Sequence, residues 1–158
     1  MNKKQLIVAA IATMLSVSTV NASNISGVTG VDGVFNIDPA LISGDVGYRY
    51  YDYFNLSEGD IANLIYQGYK NGQLRNIEAF LNLVGNKINI QGIVNSMRNG
   101  NFHDGHAIFI SPNGMVVGAS GVLNVGQLSV ITPTNEKFNS LKDAYNNRDY
   151  AAMNQVSK

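Results

Sequence analysis

Cysteine and tryptophan are absent from this chain of 158 residues, and proline occurs only three times. The lack of cysteine excludes a disulfide framework, a thiolate zinc site and a cysteine nucleophile. Charge is scarce as well, since only 14% of the residues are charged and 11 basic residues balance 11 acidic ones. The chain therefore lacks the basic character of a nucleic-acid-binding protein. It also contains neither a phosphate-binding glycine motif nor the G-x-S-x-G sequence of a serine hydrolase.

Asparagine and glycine supply the polar and turn-forming character that the charged residues do not. The sequence holds 21 asparagines and 16 glycines, the two residue types that most readily adopt positive φ in tight turns. From Phe80 onward they separate apolar runs of three to five residues, which are too short for helices and typical of strands. This composition disfavours a helical bundle and predicts an all-β fold.

Residues 1–22 have the pattern of a secretory signal peptide. Lys3 and Lys4 precede an apolar stretch from Leu6 to Leu15, and the segment ends on small residues at Ala22. We expect cleavage after Ala22 and export through the inner membrane. A permanent membrane anchor is the weaker alternative, because the apolar stretch is about half of the roughly 20 residues that cross a bilayer as a helix.

The short apolar runs predict a right-handed parallel β-helix, in which each coil of the chain stacks on the one before it. Ile88, Ile108 and Leu128 stand twenty residues apart, which predicts coils of that length. Alternate side chains of such coils point inward. The residues expected to be buried are Ile88, Ile90, Ile108, Ile110, Leu123, Val125 and Val130.

Two segments flank the predicted coils. The first, Tyr48–Leu56, is rich in aromatic residues that either form an N-terminal cap over the open end of the β-helix or stack against sugars. The residues proposed for this aromatic cap are Tyr48, Tyr51, Phe54 and Asn55. Between it and the coils, Ser57–Tyr66 fits a helix or a strand. The second segment, residues 135–158, has near-helical apolar spacing and is predicted to be a helical tail that cannot extend the ladder.

Side chains with catalytic or metal-binding chemistry are few. His103 and His106 flank Asp104, but two histidines fall short of the usual zinc ligand set, and an exposed loop explains them better. The carboxylates that a carbohydrate-cleaving β-helix would use are scattered through loops: Asp45, Asp52, Glu58, Asp60, Glu78 and Asp104. We predict no catalytic residue, no cofactor and no metal site. A small secreted carbohydrate-active enzyme or sugar-binding module is the alternative function.

The segment Ala107–Gly118 resembles the haemagglutination-activity domain of two-partner-secreted exoproteins, which include filamentous haemagglutinins and leukotoxin-like filamentous adhesins. The family pattern is an apolar strand, the turn N-P-N-G-I and a second apolar strand. Pro112, Asn113 and Gly114 match that turn, and the residues that replace its first and last positions are Ser111 and Met115.

Two further segments carry the resemblance in the order that the family shows. Tyr48–Leu56 looks like the upstream signature F-H-S-F-x-x-F-N-V, and Ile88–Val94 is similar to the rung S-x-I-x-G-x-I. The family motif N-P-N-L has no match between Gln67 and Phe80. The likeness therefore covers about residues 27–134.

The resemblance implies that residues 23–134 form a two-partner-secretion domain, which targets a filamentous adhesin for secretion and nucleates its folding. The partner it implies is an outer-membrane β-barrel transporter with periplasmic recognition domains, and the destination is the medium or the cell surface. The chain is expected to be an incomplete member, with any contact to a host cell made by repeats further downstream. No nucleic-acid partner is expected.

The corner Ser111–Met115 is the predicted motif for transporter recognition or folding. Pro112 presets φ for a tight turn, Asn113 tolerates left-handed dihedrals, and Gly114 relieves strain as the next strand begins. Two roles for Asn113 stay open at this point: its amide is sensed by the transporter, or the corner is purely structural.

Overall fold

The computed structural model describes residues 22–157, so the predicted leader lies outside the described residues apart from Ala22. Strands fill most of that range, and the helices follow at its C-terminal end. The strands are β1 (Asn24–Ile25), β2 (Val34–Ile37), β3 (Leu41–Ser43), β4 (Val46–Tyr51), β5 (Phe54–Leu56), β6 (Ile61–Ile65), β7 (Gln67–Lys70), β8 (Gln73–Asn76), β9 (Ala79–Val84), β10 (Ile88–Ile90), β11 (Ile93–Arg98), β12 (Asn101–Phe102), β13 (His106–Ile110), β14 (Met115–Val117), β15 (Val122–Asn124) and β16 (Gln127–Ile131).

Helix α1 spans Asn135–Asn146 and helix α2 spans Tyr150–Asn154, with a 3-10 turn at Gln155–Ser157. The predicted all-β fold with a helical C-terminal tail is thereby confirmed. The segment Ser57–Tyr66, for which helix and strand were both open, contains strand β6. Within residues 22–157 no helix is long and apolar enough to cross a membrane.

The strands form three larger sheets, each of which mixes parallel and antiparallel pairs. Sheet A has the order β1-β5-β10-β14, sheet B has β12-β11-β6-β2 with β15 also on β11, and sheet C has β16-β13-β9-β4-β3. Within each sheet the pairs among strands that belong to successive passes of the chain are parallel. Strands β1, β3 and β12 pair antiparallel, and β7 and β8 form a separate hairpin.

From β4 to β16 the chain visits sheets C, A and B in a repeating order. The pairs Val46–Ala79, Ala79–His106 and His106–Gln127 give offsets of 33, 27 and 21 residues along sheet C. The predicted period of twenty residues is therefore wrong. Ile88 pairs with Met115 in sheet A, whereas Ile108 pairs with Leu81 and Ser129 in sheet C. The hairpins β7–β8 and β11–β12 lengthen individual passes and remove a uniform period.

The main hydrophobic core is made by side chains from all three sheets. Its large aromatic members are fully buried and meet edge to face: the rings of Tyr51 and Phe54 lie 5.3 Å apart, and those of Phe54 and Phe109 lie 5.5 Å apart. Asn82 is the one fully buried amide of the described residues, and its Oδ1 accepts a 2.6 Å hydrogen bond from the Tyr51 hydroxyl. Its Nδ2 donates to the Phe80 and Ile108 carbonyl oxygens. Both polar atoms of this buried amide therefore have hydrogen-bond partners.

A second core lies on the outer face of sheet C, where the helical tail docks. Leu81, Ile108 and Ile110 on the strands pack with Phe138 and Met153 from the helices. Thr134 caps the start of α1 by accepting a hydrogen bond from the Lys137 N–H at 3.2 Å. The helical tail therefore covers the outer face of sheet C. As predicted, it adds no strand to the end of the ladder.

Of the residues predicted to point into the coil, Ile88, Ile90 and Leu123 are buried in the main core, whereas Ile108 and Ile110 are buried in the second core under the helices. Val125 packs partly buried against the main core, and Val130 is 43% exposed. The prediction for Val130 is wrong. Its register partner Phe109 is fully buried, so Val130 points toward the core side as expected. It stays exposed because, within residues 22–157, β16 pairs only with β13 and no strand covers its other edge.

Candidate functional site

The corner Ser111–Met115 joins β13 to β14 and stacks on the preceding corner of the chain. The Gly114 N–H donates to the Ser111 carbonyl at 3.2 Å, which closes a four-residue turn. The Gly114 carbonyl in turn accepts from the Ile88 N–H at 2.9 Å. Gly114 has φ +76°, so the left-handed conformation falls on the glycine. Asn113, for which it was also expected, does not adopt it.

Ser111 is the buried anchor of this corner. It is 1% exposed, and its hydroxyl donates to the Asn86 carbonyl at 2.8 Å. The same oxygen accepts from the Asn113 N–H at 3.2 Å, and the Ser111 N–H donates to the Ile131 carbonyl at 3.1 Å. Serine thereby ties the turn to the corner below it and to β16 beside it.

Asn113 and its neighbours differ sharply in exposure. Asn113 is exposed, whereas Pro112, Gly114 and Met115 are half-buried. Met115 packs against the main core. Within the motif, Asn113 is therefore the side chain that a partner protein can reach.

Replacing Ser111 by alanine is expected to lower the free energy of unfolding by about 1–3 kcal/mol. The reason is that the variant loses both hydrogen bonds of the buried Ser111 hydroxyl, one to the Asn86 carbonyl and one from the Asn113 N–H. Urea unfolding followed by circular dichroism measures the change. An unchanged midpoint would mean that the hydroxyl contributes nothing to the corner.

The aromatic residues predicted as a cap are distributed over two cores. Tyr51 and Phe54 lie in the main core, and Tyr48 lies in the second core, where its hydroxyl donates to Asn154. All three are fully buried, and burial raises the pKa of Tyr51 and of Tyr48. Their rings offer no face to a sugar. Asn55, half-buried on β5, pairs with Asn24 and Asn89 in sheet A.

The N-terminal edges of sheets A and C are closed by backbone pairing rather than by these aromatic rings. Strand β1 pairs antiparallel with β5, and β3 pairs antiparallel with β4. An antiparallel strand occupies the hydrogen-bonding groups that a further parallel coil would need. A further parallel coil therefore cannot pair directly with β5 or β4 at this end.

The opposite end is open in all three sheets. Strands β14, β15 and β16 are the last of their parallel ladders, and each pairs with a single neighbour among the described residues. Their outer edges carry unpaired backbone groups, which are templates for another strand. The exposed Val130 and the partly buried Leu128 add an apolar surface beside these edges.

A ladder of four asparagines runs along sheet B, and sequence reasoning missed it. Asn63 donates to Asn36 at 3.0 Å, Asn95 to Asn63 at 3.1 Å, and Asn124 to Asn95 at 2.9 Å. Each amide donates toward the N-terminal end, and the ladder ends at Asn124, whose Oδ1 accepts no hydrogen bond among the described residues. The signal was a recurring pattern of two apolar residues and an asparagine, and its members are Val34–Asn36, Ile61–Asn63, Ile93–Asn95 and Val122–Asn124.

The ionisable side chains considered for catalysis form hydrogen bonds and ion pairs with different neighbours in the structure. Glu78 bonds Arg98 and His103, each at 2.9 Å, and the Arg98 hydrogen bond is the main cause that lowers the pKa of Glu78. His106 bonds the Ser129 hydroxyl instead, and burial lowers its pKa. No group of three potential metal ligands occurs within residues 22–157.

Two of the other carboxylates have hydrogen-bond donors of their own. Asp52 accepts from the Tyr50 hydroxyl at 3.1 Å, and Asp60 accepts from the Ser23 hydroxyl. No two of the candidate carboxylates share a hydrogen-bond donor in the described part of the chain. Comparisons of the chain with protein-family models, curated proteins and solved structures return no match.

Proposed function

We propose that the exported chain is the secretion-targeting and folding-nucleation domain of a two-partner-secreted filamentous adhesin or haemagglutinin. In this proposal the three parallel ladders are the sides of a right-handed parallel β-helix. The partner is an outer-membrane β-barrel transporter with periplasmic recognition domains, and the product is secreted or held at the bacterial cell surface. The domain carries out no catalysis and needs no cofactor.

The observation that carries the proposal is the difference between the two ends of the ladders. Antiparallel β1 and β3 end the parallel ladders of sheets A and C at the N-terminal side, whereas the last edges of β14, β15 and β16 have no partner among the described residues. Two of the three parallel ladders therefore end in an antiparallel strand at the N-terminal side, whereas all three can be continued by parallel strands at the other side. That property is what a folding nucleus at the start of a long β-helix requires.

The chemistry of the open end supports the same direction of growth. The unpaired Asn124 Oδ1 can accept from an amide in a following strand, as Asn95 accepts from Asn124 at 2.9 Å. Val130, 43% exposed, would become buried under a following coil. Backbone pairing and apolar burial outside the cell would draw the following polypeptide outward without ATP hydrolysis.

Recognition by the transporter is assigned to the corner Ser111–Met115. Its backbone is fixed by the Ser111 contacts, and its exposed amide side chain is Asn113. A fixed turn with one protruding polar group suits recognition before secretion. Extended segments of the same chain can also add to a sheet edge of the transporter through backbone hydrogen bonds.

Replacing Asn113 by alanine is expected to reduce export at least tenfold while the thermal midpoint of the purified domain stays within about 2 °C. The side chain is exposed and φ is ordinary, so little stability depends on it. Export is measured as the fraction of chain in the medium of cells that co-express a two-partner transporter.

The matched control is Asn139→Ala, which removes another exposed asparagine amide, from the surface of α1. It should leave export unchanged. Parallel losses of export and stability in Asn113→Ala would reduce the corner to a fold determinant. Equal amounts of wild-type chain in the medium with and without the transporter would contradict the proposed function itself.

A further inference from the structure

Ser23, the residue that follows the predicted cleavage site, is held in a corner of the fold. Its hydroxyl donates to the Asp60 carboxylate at 2.5 Å and accepts from the Ser57 N–H at 2.8 Å. Strand β1 begins at the next residue and pairs with β5. Ser23 is half-buried, while Ala22 before it is exposed. The fold thus fixes the chain from Ser23 onward.

The corner that surrounds Ser23 has an unused hydrogen-bonding group. Ser57 is 7% exposed, and its hydroxyl has no partner in the described part of the chain. Asp60 is half-buried and closely packed, since a Cβ at Gly33 would lie 2.7 Å from its Oδ1. A fixed carboxylate and an unpaired buried hydroxyl therefore lie beside the residue that becomes the N-terminus.

We propose that this corner is a binding site for an α-ammonium group, which is supplied by Ser23 itself once the leader is removed after Ala22. The proposal rests on the export that is part of the proposed function. A serine nitrogen lies within about 4 Å of its own hydroxyl oxygen by covalent geometry. Cleavage therefore places a positive charge within roughly 6 Å of the Asp60 carboxylate, close enough for a favourable ion pair.

Cleavage changes the chemistry of this position without moving the chain. Before it, the Ser23 nitrogen is a neutral peptide group with one N–H. After it, the nitrogen carries a charge and three N–H donors, which can satisfy both the Asp60 carboxylate and the Ser57 hydroxyl. Removal of the leader is then a step that completes the N-terminal corner, so the processed chain is more stable than the same chain with a blocked N-terminus.

The experiment compares two forms of the chain 23–158: one with a free Ser23 amine and one with an acetylated Ser23 amine. Acetylation removes the charge and leaves every residue in place. At pH 6.5 the free form is expected to have a folding equilibrium constant about fivefold larger than the acetylated form. The difference should vanish at pH 10, where an α-amino group of ordinary pKa, about 7.7–8.0, is neutral. Urea unfolding gives the constants.

Two variants test whether the Asp60 carboxylate is the partner of the Ser23 ammonium group. Asp60→Asn should abolish the difference between the free and acetylated forms, because the carboxylate is gone. The other titratable side chains of the adjoining loops, Asp32 and Glu58, are exposed, so Glu58→Gln should keep the difference. Equal constants for the two wild-type forms at pH 6.5 would overturn the proposal, as would a difference that survives in Asp60→Asn or at pH 10.

The failure of the export proposal has a different signature. Intact mass of the exported chain reports whether cleavage follows Ala22. Cleavage at another position would contradict the predicted leader, whereas the comparison of free and acetylated Ser23 chains would still report on the corner.

Discussion

Phe109→Ala is expected to lower the free energy of unfolding by about 3–5 kcal/mol, a large share of the stability of a small domain. Phe109 is fully buried on β13, and its ring meets that of Phe54 edge to face at 5.5 Å. Strands from two other passes of the chain flank it in sheet C. Truncation would leave a cavity that these paired backbones cannot collapse to fill. Equilibrium unfolding in urea measures the loss.

Phe102→Ala is the matched control for that substitution. Phe102 lies on β12 and is 58% exposed, so the same truncation should change the unfolding free energy by less than about 0.5 kcal/mol. Similar losses for both variants would contradict the assignment of Phe109 to a core between the sheets.

Gly92→Ala is expected to cost at least about 3 kcal/mol, at the upper end of overpacking effects. Gly92 turns the chain from sheet A into sheet B, and a Cβ there would lie 2.3 Å from the Asp60 carbonyl oxygen and 2.5 Å from that of Ser57. Both are backbone atoms that cannot rotate away. The Asp60 carbonyl also accepts from the Ile93 N–H at 3.0 Å, so displacement would break the corner contact between two passes.

The control for Gly92 is Gly72→Ala, in the tip of the β7–β8 hairpin. Gly72 has φ +77° and nothing within 4 Å of an added Cβ, so alanine there carries only the conformational cost of about 1–2 kcal/mol. Thermal and urea unfolding of the two variants separate crowding from backbone strain. A larger loss at Gly72 than at Gly92 would contradict the close stacking of the corners.

Local patterning identified the strands from β9 onward, with the exception of β12. The apolar runs after Phe80 include Ile88–Ile90 and Met115–Val117, which coincide with β10 and β14. These strands can be predicted because each is a short apolar run between residues that favour turns. The pattern that identifies each strand therefore lies within a few residues. The helical tail could be predicted for the same reason, because its apolar spacing and its lack of glycine are features of a short stretch of sequence.

Which strands pair with one another, and in which register, could not be predicted from such local patterns. The offset between paired strands varies from 21 to 33 residues in sheet C, because hairpins extend some passes and not others. The same irregular spacing concealed the asparagine ladder, although the local pattern recurs at Asn36, Asn63, Asn95 and Asn124. Register is decided by which edges meet in three dimensions, and no short window of sequence contains that information.

The sequence by itself determined the all-β character, the strand positions after Phe80 other than β12, the helical tail and the turn at Pro112–Gly114, because each depends on dihedral preference and polarity over a few residues. Only the tertiary structure decided that the tail docks on sheet C, that Tyr48 and Tyr51 enter different cores and that Val130 stays exposed. The physical reason is that burial depends on neighbours distant in sequence. Val130 has the polarity of a core residue, and it is exposed because no strand pairs with the outer edge of β16.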